Sequence, residues 1–171
     1  MYPPSLAMGA FRSTSLRMAS LFWVSTRLSM GRRENLHLIA EDLGERELVD
    51  VLNANRSWDR AKQTVIVAEG LLMYLPPPAP LELFAQCAQI SGDGSRMAFT
   101  YIGTRTDGRA DAGWWTWLVL WILKANGEPW LWSIQPEELN GFLRATGWTC
   151  APDLERESPK YGVEFFGVAI K

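Results

Sequence analysis

The run Thr64-Val65-Ile66-Val67-Ala68 constrains this chain more than any other stretch. It is continuous, β-branched and free of polar alternation, so it reads as a strand. A strand of that kind is expected where helices cover both faces of a parallel sheet. It stops at Glu69-Gly70. Beyond it, Pro76-Pro77-Pro78-Ala79-Pro80 leads into residues 81–90, where Leu83, Phe84, Cys87 and Ile90 share one helical face. Proline is tolerated in a helix's first turn and not inside it, which sets the helix start. Gly92-Asp93-Gly94 is a turn, and residues 96–102 form the next strand. Upstream, residues 36–40 read as a strand running into Glu41-Asp42-Leu43-Gly44. Residues 45–53 carry Leu48, Val49 and Leu52 at helical spacing. Strand, helix, strand, helix, strand in this order predicts an α/β fold with a mostly parallel sheet.

The rhythm then changes. Residues 103–113 are a polar, glycine-bearing loop, and residues 114–124 a tryptophan-rich helix stopped by Asn126-Gly127-Glu128-Pro129. Residues 136–145 predict a further helix on Leu139, Phe142 and Leu143, ended by Gly147. Residues 148–154 and 162–170 read as two strands. Their short link, which contains Pro159, makes them antiparallel to each other. No internal repeat is present, and 171 residues set a prior of one domain.

Charge is unevenly divided. Residues 1–33 hold five Arg (Arg12, Arg17, Arg27, Arg32, Arg33), no Lys and no acid, so they carry +5 against a net −2 for the whole chain. They are also rich in serine. Three readings stay open: a transit peptide, a solvated or poorly ordered arm, and sequence foreign to the domain. Leu21-Phe22-Trp23-Val24 reads as a short buried strand. No apolar core of the required length follows a basic start, so this is not a secretory signal. The overall balance, 47% apolar and 21% charged, excludes a disordered chain, a collagen-like chain and a strongly basic nucleic-acid binder. The longest apolar run, residues 114–123, is too short to span a bilayer as a helix. Cys87 and Cys150 are far apart and His37 is the single histidine. A Cys/His zinc site is thereby excluded, and a Ser-His-Asp or Cys-His catalyst has little to work with. His37 is expected at a strand entrance. A reduced, cytoplasmic setting is the default.

In open α/β sheets, ligands bind outside the carboxyl ends of the strands. Two strands here end on acids: one at Asp42-Leu43, the other at Glu69-Gly70. A carboxylate there accepts hydrogen bonds from an amino group or a ribose hydroxyl, a leucine packs on a base, and a glycine lets the backbone approach closely. Acids at strand ends are also ordinary solvated loop residues, and the pattern alone leaves both readings open.

The run Val67-Ala68-Glu69-Gly70-Leu71-Leu72-Met73-Tyr74-Leu75-Pro76 resembles the central motif of class I S-adenosylmethionine-dependent methyltransferases of the leucine carboxyl methyltransferase type. Leu38-Ile39-Ala40-Glu41-Asp42-Leu43 is similar to that family's adenine-contacting strand end. Gly127-Glu128-Pro129-Trp130, Pro136-Glu137-Glu138-Leu139 and Gly147-Trp148 resemble its substrate-side loop and penultimate helix. The resemblance runs from about residue 34 to residue 171. It implies a Rossmann-like methyltransferase sheet, mostly parallel with an antiparallel C-terminal strand. It also implies that S-adenosyl-L-methionine is the cofactor: Asp42 and Leu43 hold the adenine, Glu69 and Gly70 lie along the sulfonium and ribose side, and Tyr74 faces the methyl-transfer region.

The implied function is O-methylation of a carboxylate or another small oxygen acceptor, on a small molecule or a protein, with no metal required. The family's glycine-rich turn is not matched, since no such run precedes residue 36 and Gly9 and Gly31 stand alone. If residues 21–24 take the second strand's place, they end on Ser25-Thr26-Arg27 without the family's acid. The expectation is therefore an N-terminally incomplete sheet: residues 1–33 an atypical basic segment, residues 34–171 the C-terminal part of a methyltransferase domain, with a Trp-rich insertion at about 104–135. The same expectation makes this a truncated form, inactive if the missing turn is needed. The competing reading is a non-catalytic remnant or interaction module that binds a partner through its Trp-rich surface, or an oligomer formed through that surface or an exposed sheet. Nucleic acid is not an expected partner.

Six of the nine Trp fall between 114 and 132. Trp114, Trp117 and Trp121 recur at i, i+3 and i+7, the spacing of core or lid packing. A cap over an apolar acceptor is the functional alternative. A membrane-surface helix is the third reading, but it wants a basic polar face and only Lys124 is near.

Overall fold

The computed structural model of the chain describes residues 5–7, 36–41, 43, 46–55, 57–151 and 163–171. The elements are β1 (Ser5–Ala7), β2 (Leu36–Leu38), α1 (Leu48–Asn53), β3 (Val65–Ala68), α2 (Ala79–Gln89), β4 (Arg96–Ile102), α3 (Thr116–Ala125), α4 (Leu139–Ala145), β5 (Thr149–Cys150) and β6 (Glu164–Ile170). Single 3-10 turns occupy Leu72–Tyr74 and Gly113–Trp115. Four strands form a mixed sheet in the order β3-β4-β6-β5, with β3 parallel to β4 and β6 antiparallel to both β4 and β5. β1 and β2 make a separate parallel pair, Ser5 opposite Leu36 and Ala7 opposite Leu38.

Register fixes the two faces of the larger sheet. Ile66, Met97 and Ala169 lie side by side, then Ala68, Phe99 and Gly167, then Tyr101 and Phe165. This face meets Leu48 and Leu52 of α1, Leu83, Phe84 and Cys87 of α2, and Leu139 and Leu143 of α4 in one continuous core. Phe84 sits at its centre, edge-on to Phe99 and Phe142 with ring centroids 5.1 and 4.9 Å away. The indole of Trp148, 1% exposed, packs beside it and donates to the Phe84 carbonyl at 2.9 Å. Full burial of each large apolar side chain contributes about 1.5–3 kcal/mol. Gly167 is part of this fit. A Cβ on it would lie 2.6 Å from Cζ of Phe99, so the far end of the ring occupies a position that only glycine leaves clear.

The other face is different. Val65 and Val67 are 71% and 63% exposed, and Phe166 is 56% exposed. The unbroken apolar run of β3 predicts cover on both faces. The described residues cover one, and burial along β3 alternates. An apolar run reports a strand's capacity to be covered, and its sequence does not supply the second layer.

Helix ends are secured by side chains from elsewhere. The Leu48 amide at the start of α1 donates to Oε1 of Gln86 on α2 at 2.7 Å. Beyond the end of α2, Nζ of Lys171 donates to the carbonyls of Ala88 and Ser91. A cation there complements the helix dipole and the orphan carbonyls.

Several boundaries move relative to the sequence expectations. β1 was not anticipated, since Ser5-Leu6-Ala7 carries no β-branched residue. His37 is in the middle of β2, opposite Leu6, rather than at a strand entrance. α4 starts at Leu139, after a turn over residues 136–138, and its first bond runs from Phe142 N–H to the Glu138 carbonyl at 3.1 Å. β5 is reduced to Thr149–Cys150, and residues 152–154 lie outside the described residues, as does the strand expected at 21–24.

Candidate functional site

The carboxyl end of β3 runs straight into Glu69-Gly70. Gly70 has φ +61°, a backbone conformation that a side chain disfavours, and a Cβ there would meet nothing within 4 Å among the described residues. Its amide is anchored: Gly70 N–H donates to Oγ1 of Thr100, on the neighbouring strand β4, at 2.8 Å. Glu69 is exposed, and its carboxylate has no ion pair or hydrogen bond among the described residues.

The next residues fasten the turn to two cores. Leu72 and Leu75 are fully buried in the main core. Met73 points the other way, into a smaller cluster with Ile102 and Ala110, against which Tyr74, Leu120, Trp130 and Val163 pack. The Met73 carbonyl accepts from the amides of Leu131 and Trp132 at 2.7 and 3.2 Å, and the Ile102 carbonyl accepts from Ile134 N–H at 3.1 Å. The segment around residues 130–134 is thus laid across the carboxyl ends of the strands. Tyr74 is half-buried under it. The indole N–H of Trp130 is buried in the same cluster without a hydrogen-bond partner.

Of the sequence-derived site residues, Glu69, Gly70 and Tyr74 come together on one short turn at the strand ends. Leu43 is half-buried and packs against the main core, while Asp42 lies outside the described residues. Thr100 has no place in the sequence reading, whereas Met73 and Trp130 stand within the resembling runs 67–76 and 127–130 without an individual role. Thr100 is an ordinary β-former within Arg96–Ile102, so nothing local marks it. Trp130 and Met73 matter through contacts made across the fold. Cys87 takes no part: burial pushes its thiol up to about 12, which keeps it protonated and unreactive. No group of three or more His, Cys, Asp or Glu side chains is gathered among the described residues. No described helix is long and apolar enough to cross a membrane.

Comparison with known proteins bears on this geometry. The sequence profile of the leucine carboxyl methyltransferase family matches residues 17–88. A protein of Frankia alni assigned as an S-adenosyl-L-methionine-dependent methyltransferase is 37% identical over 93 residues, covering 53% of this chain and 29% of that protein. One of Mycobacterium avium with the same assignment is 42% identical over 66 residues, covering 39% and 21%. The chain thus spans less than a third of the length of these relatives. Among solved structures, the 1,6-didemethyltoxoflavin-N1-methyltransferase of Burkholderia thailandensis superposes with a TM-score of 0.55 at 18% identity, over 87% of this chain and 56% of that one. The methyltransferase SibL gives a TM-score of 0.55 at 16% identity, over 98% and 42%.

The fold is that of the class I S-adenosylmethionine-dependent methyltransferases. Over residues 17–88 its sequence is similar to the leucine carboxyl methyltransferase family. The profile match includes both strand-end motifs, Asp42-Leu43 and Glu69 to Tyr74. It crosses the charge boundary at Glu34 and takes in Arg17, Arg27, Arg32 and Arg33 of the basic segment. It ends at residue 88, so the stretches at 127–130, 136–139 and 147–148 lie beyond it.

Proposed function

We propose that this chain serves S-adenosylmethionine-dependent O-methylation, with a carboxylate or another small oxygen acceptor as substrate. The observation that carries the reading is the Glu69-Gly70 turn at the carboxyl end of a strand: among the described residues its carboxylate is unpaired and its glycine unobstructed. Because Gly70 N–H is already committed to Thr100, the turn offers acceptors and space rather than donors. That suits a ligand presenting positive charge and hydroxyl groups, as the cofactor does with its sulfonium, amino group and ribose. The residues present therefore fit the group. Glu69 and Gly70 would line its ribose and sulfonium side, Asp42 and Leu43 its adenine, and Tyr74 the side where the acceptor enters.

When bound, S-adenosylmethionine supplies a methyl group on a sulfonium leaving group. The chain's own task is alignment and exclusion of water. Leu72 and Leu75 fix the turn, and the 130–134 segment roofs Tyr74. A carboxylate acceptor is already ionised at neutral pH, so no residue has to remove a proton. Held beside Glu69 and Gly70, the group would supply the methyl carbon with a thioether as its leaving group, and the charges of carboxylate and sulfonium would cancel in a neutral ester. A cytoplasmic, reduced setting accords with this use.

Calorimetric titration with S-adenosylmethionine tests the reading. Micromolar dissociation constants that weaken at least tenfold in Glu69→Ala are the expected result; affinity of millimolar or weaker in the parent chain overturns it. A second reading, a non-catalytic remnant working as an interaction module, is favoured by the bare face of Val65, Val67 and Phe166, because exposed apolar patches drive association.

A further inference from the structure

α3 is apolar on both sides. Leu120 faces inward on the Tyr74 and Trp130 cluster, and Thr116 is buried. The outward side carries Trp117 and Trp121, which are 71% and 65% exposed, and Trp114, 80% exposed, precedes them on the turn Gly113–Trp115. Trp115, Ile122 and Leu131 extend the patch, each more than 40% exposed. The exposed area of these six side chains is on the order of 800 Å². A standard-size protein interface takes about 800 Å² from each partner. Monomeric proteins seldom leave such an area bare.

We propose that this face is the interface of a two-fold dimer, the occupant being α3 and Leu131 of a second copy of the chain. Trp117 and Trp121 stand one turn apart on α3, and apolar side chains in such an i, i+4 row are the ridges by which two copies of a helix pack against each other. Two-fold symmetry makes each patch its own complement. Antiparallel crossing also opposes the two helix dipoles favourably. The surrounding charges argue against a lipid surface. Arg105, Arg109 and Lys124 are balanced by Asp107, Asp111 and Glu128, and Arg105 is paired with Asp111 at 3.6 Å. A helix lying on an anionic bilayer needs an excess of basic side chains, which this one lacks. Because the inward side of α3 packs on the cluster that holds Tyr74, dimer formation would brace the proposed acceptor side of the site. The dimer itself does not depend on the methyltransferase reading.

Sedimentation velocity of the full chain, over about a hundredfold range of concentration, tests this. The expected result is reversible formation of a species of twice 19.3 kDa. The double substitution Trp117→Glu and Trp121→Glu raises the dissociation constant at least a hundredfold with the far-UV circular dichroism unchanged. Val67→Glu with Phe166→Glu leaves the dimer intact. A monomer at every concentration overturns the proposal. So does a dimer that survives the tryptophan substitutions, or one abolished by the Val67 and Phe166 pair alone. Co-sedimentation of a monomer with phosphatidylcholine vesicles overturns it in favour of a membrane surface.

Discussion

Thr100→Val isolates the hydrogen bond from Gly70 N–H to Thr100 Oγ1 at the Glu69-Gly70 turn. Valine matches threonine in shape, so packing on β4 is kept and only the acceptor is removed. Gly70 N–H, donating at 2.8 Å, then loses its partner. Leaving a buried donor unmatched costs about 1–3 kcal/mol. Gly70 and Thr100 are half-buried, so water recovers part of this and about 1 kcal/mol is expected. For a domain of this size that lowers the melting temperature by about 2–4 °C. If the turn's conformation is what the cofactor selects, the same energy sets a ceiling of about fivefold on the loss of affinity for S-adenosylmethionine. Thr100→Ser keeps the hydroxyl and is expected to restore most of the affinity while losing a methyl group's packing. Scanning fluorimetry and calorimetric titration on the three proteins decide it. The reasoning is refuted if Thr100→Val melts and binds as the parent does, or if Thr100→Ser binds as weakly as Thr100→Val.

Two further outcomes follow from the core. Gly167→Ala drives a methyl group against the Phe99 ring, and because that ring is wedged edge-on to Phe84, urea unfolding should show a loss of about 2–3 kcal/mol; a change below about 0.5 kcal/mol would mean the sheet yields instead. Under a thiol-specific reagent, half-buried Cys150 should react first and Cys87 only on unfolding. Because the folded Cys87 thiol is raised from 9.0 to about 12, the stability it lends is complete below pH 9 and lost as pH climbs towards 12, whereas Cys87→Ala should flatten that part of the pH profile.

The legibility of the fold in the sequence varied by residue. Val65–Ala68 and Ala79–Gln89 were readable because β-branched continuity and first-turn prolines are local signals. So were Glu69, Gly70 and Tyr74, since the motif that holds them is continuous. The bareness of Val65 and Val67 was not readable: whether a second layer exists depends on residues far from the strand. β1 was missed because its strand character comes from pairing with Leu36–Leu38, not from Ser5-Leu6-Ala7 itself. Thr100 and Trp130 are set by bonds and contacts that span about 30 residues or more, and no periodicity encodes those. Gly167 was an overlooked signal, since a glycine within an aromatic strand commonly marks close approach by another group.

The position of β6 bears on how the sheet assembles in time. β3 and β4 pair through a crossover in which Val65 meets Arg96, 31 positions on. β6 joins β4 where Ile170 meets Arg96, a separation of 74, and among the described residues β5 pairs with β6 alone. Closing the longer loop costs about 0.8 kcal/mol more chain entropy than the shorter. The half built on β3, α2 and β4 is therefore the natural nucleus. Substitutions such as Gly167→Ala, which act where β6 docks, should show themselves as faster unfolding with little change in the rate of folding.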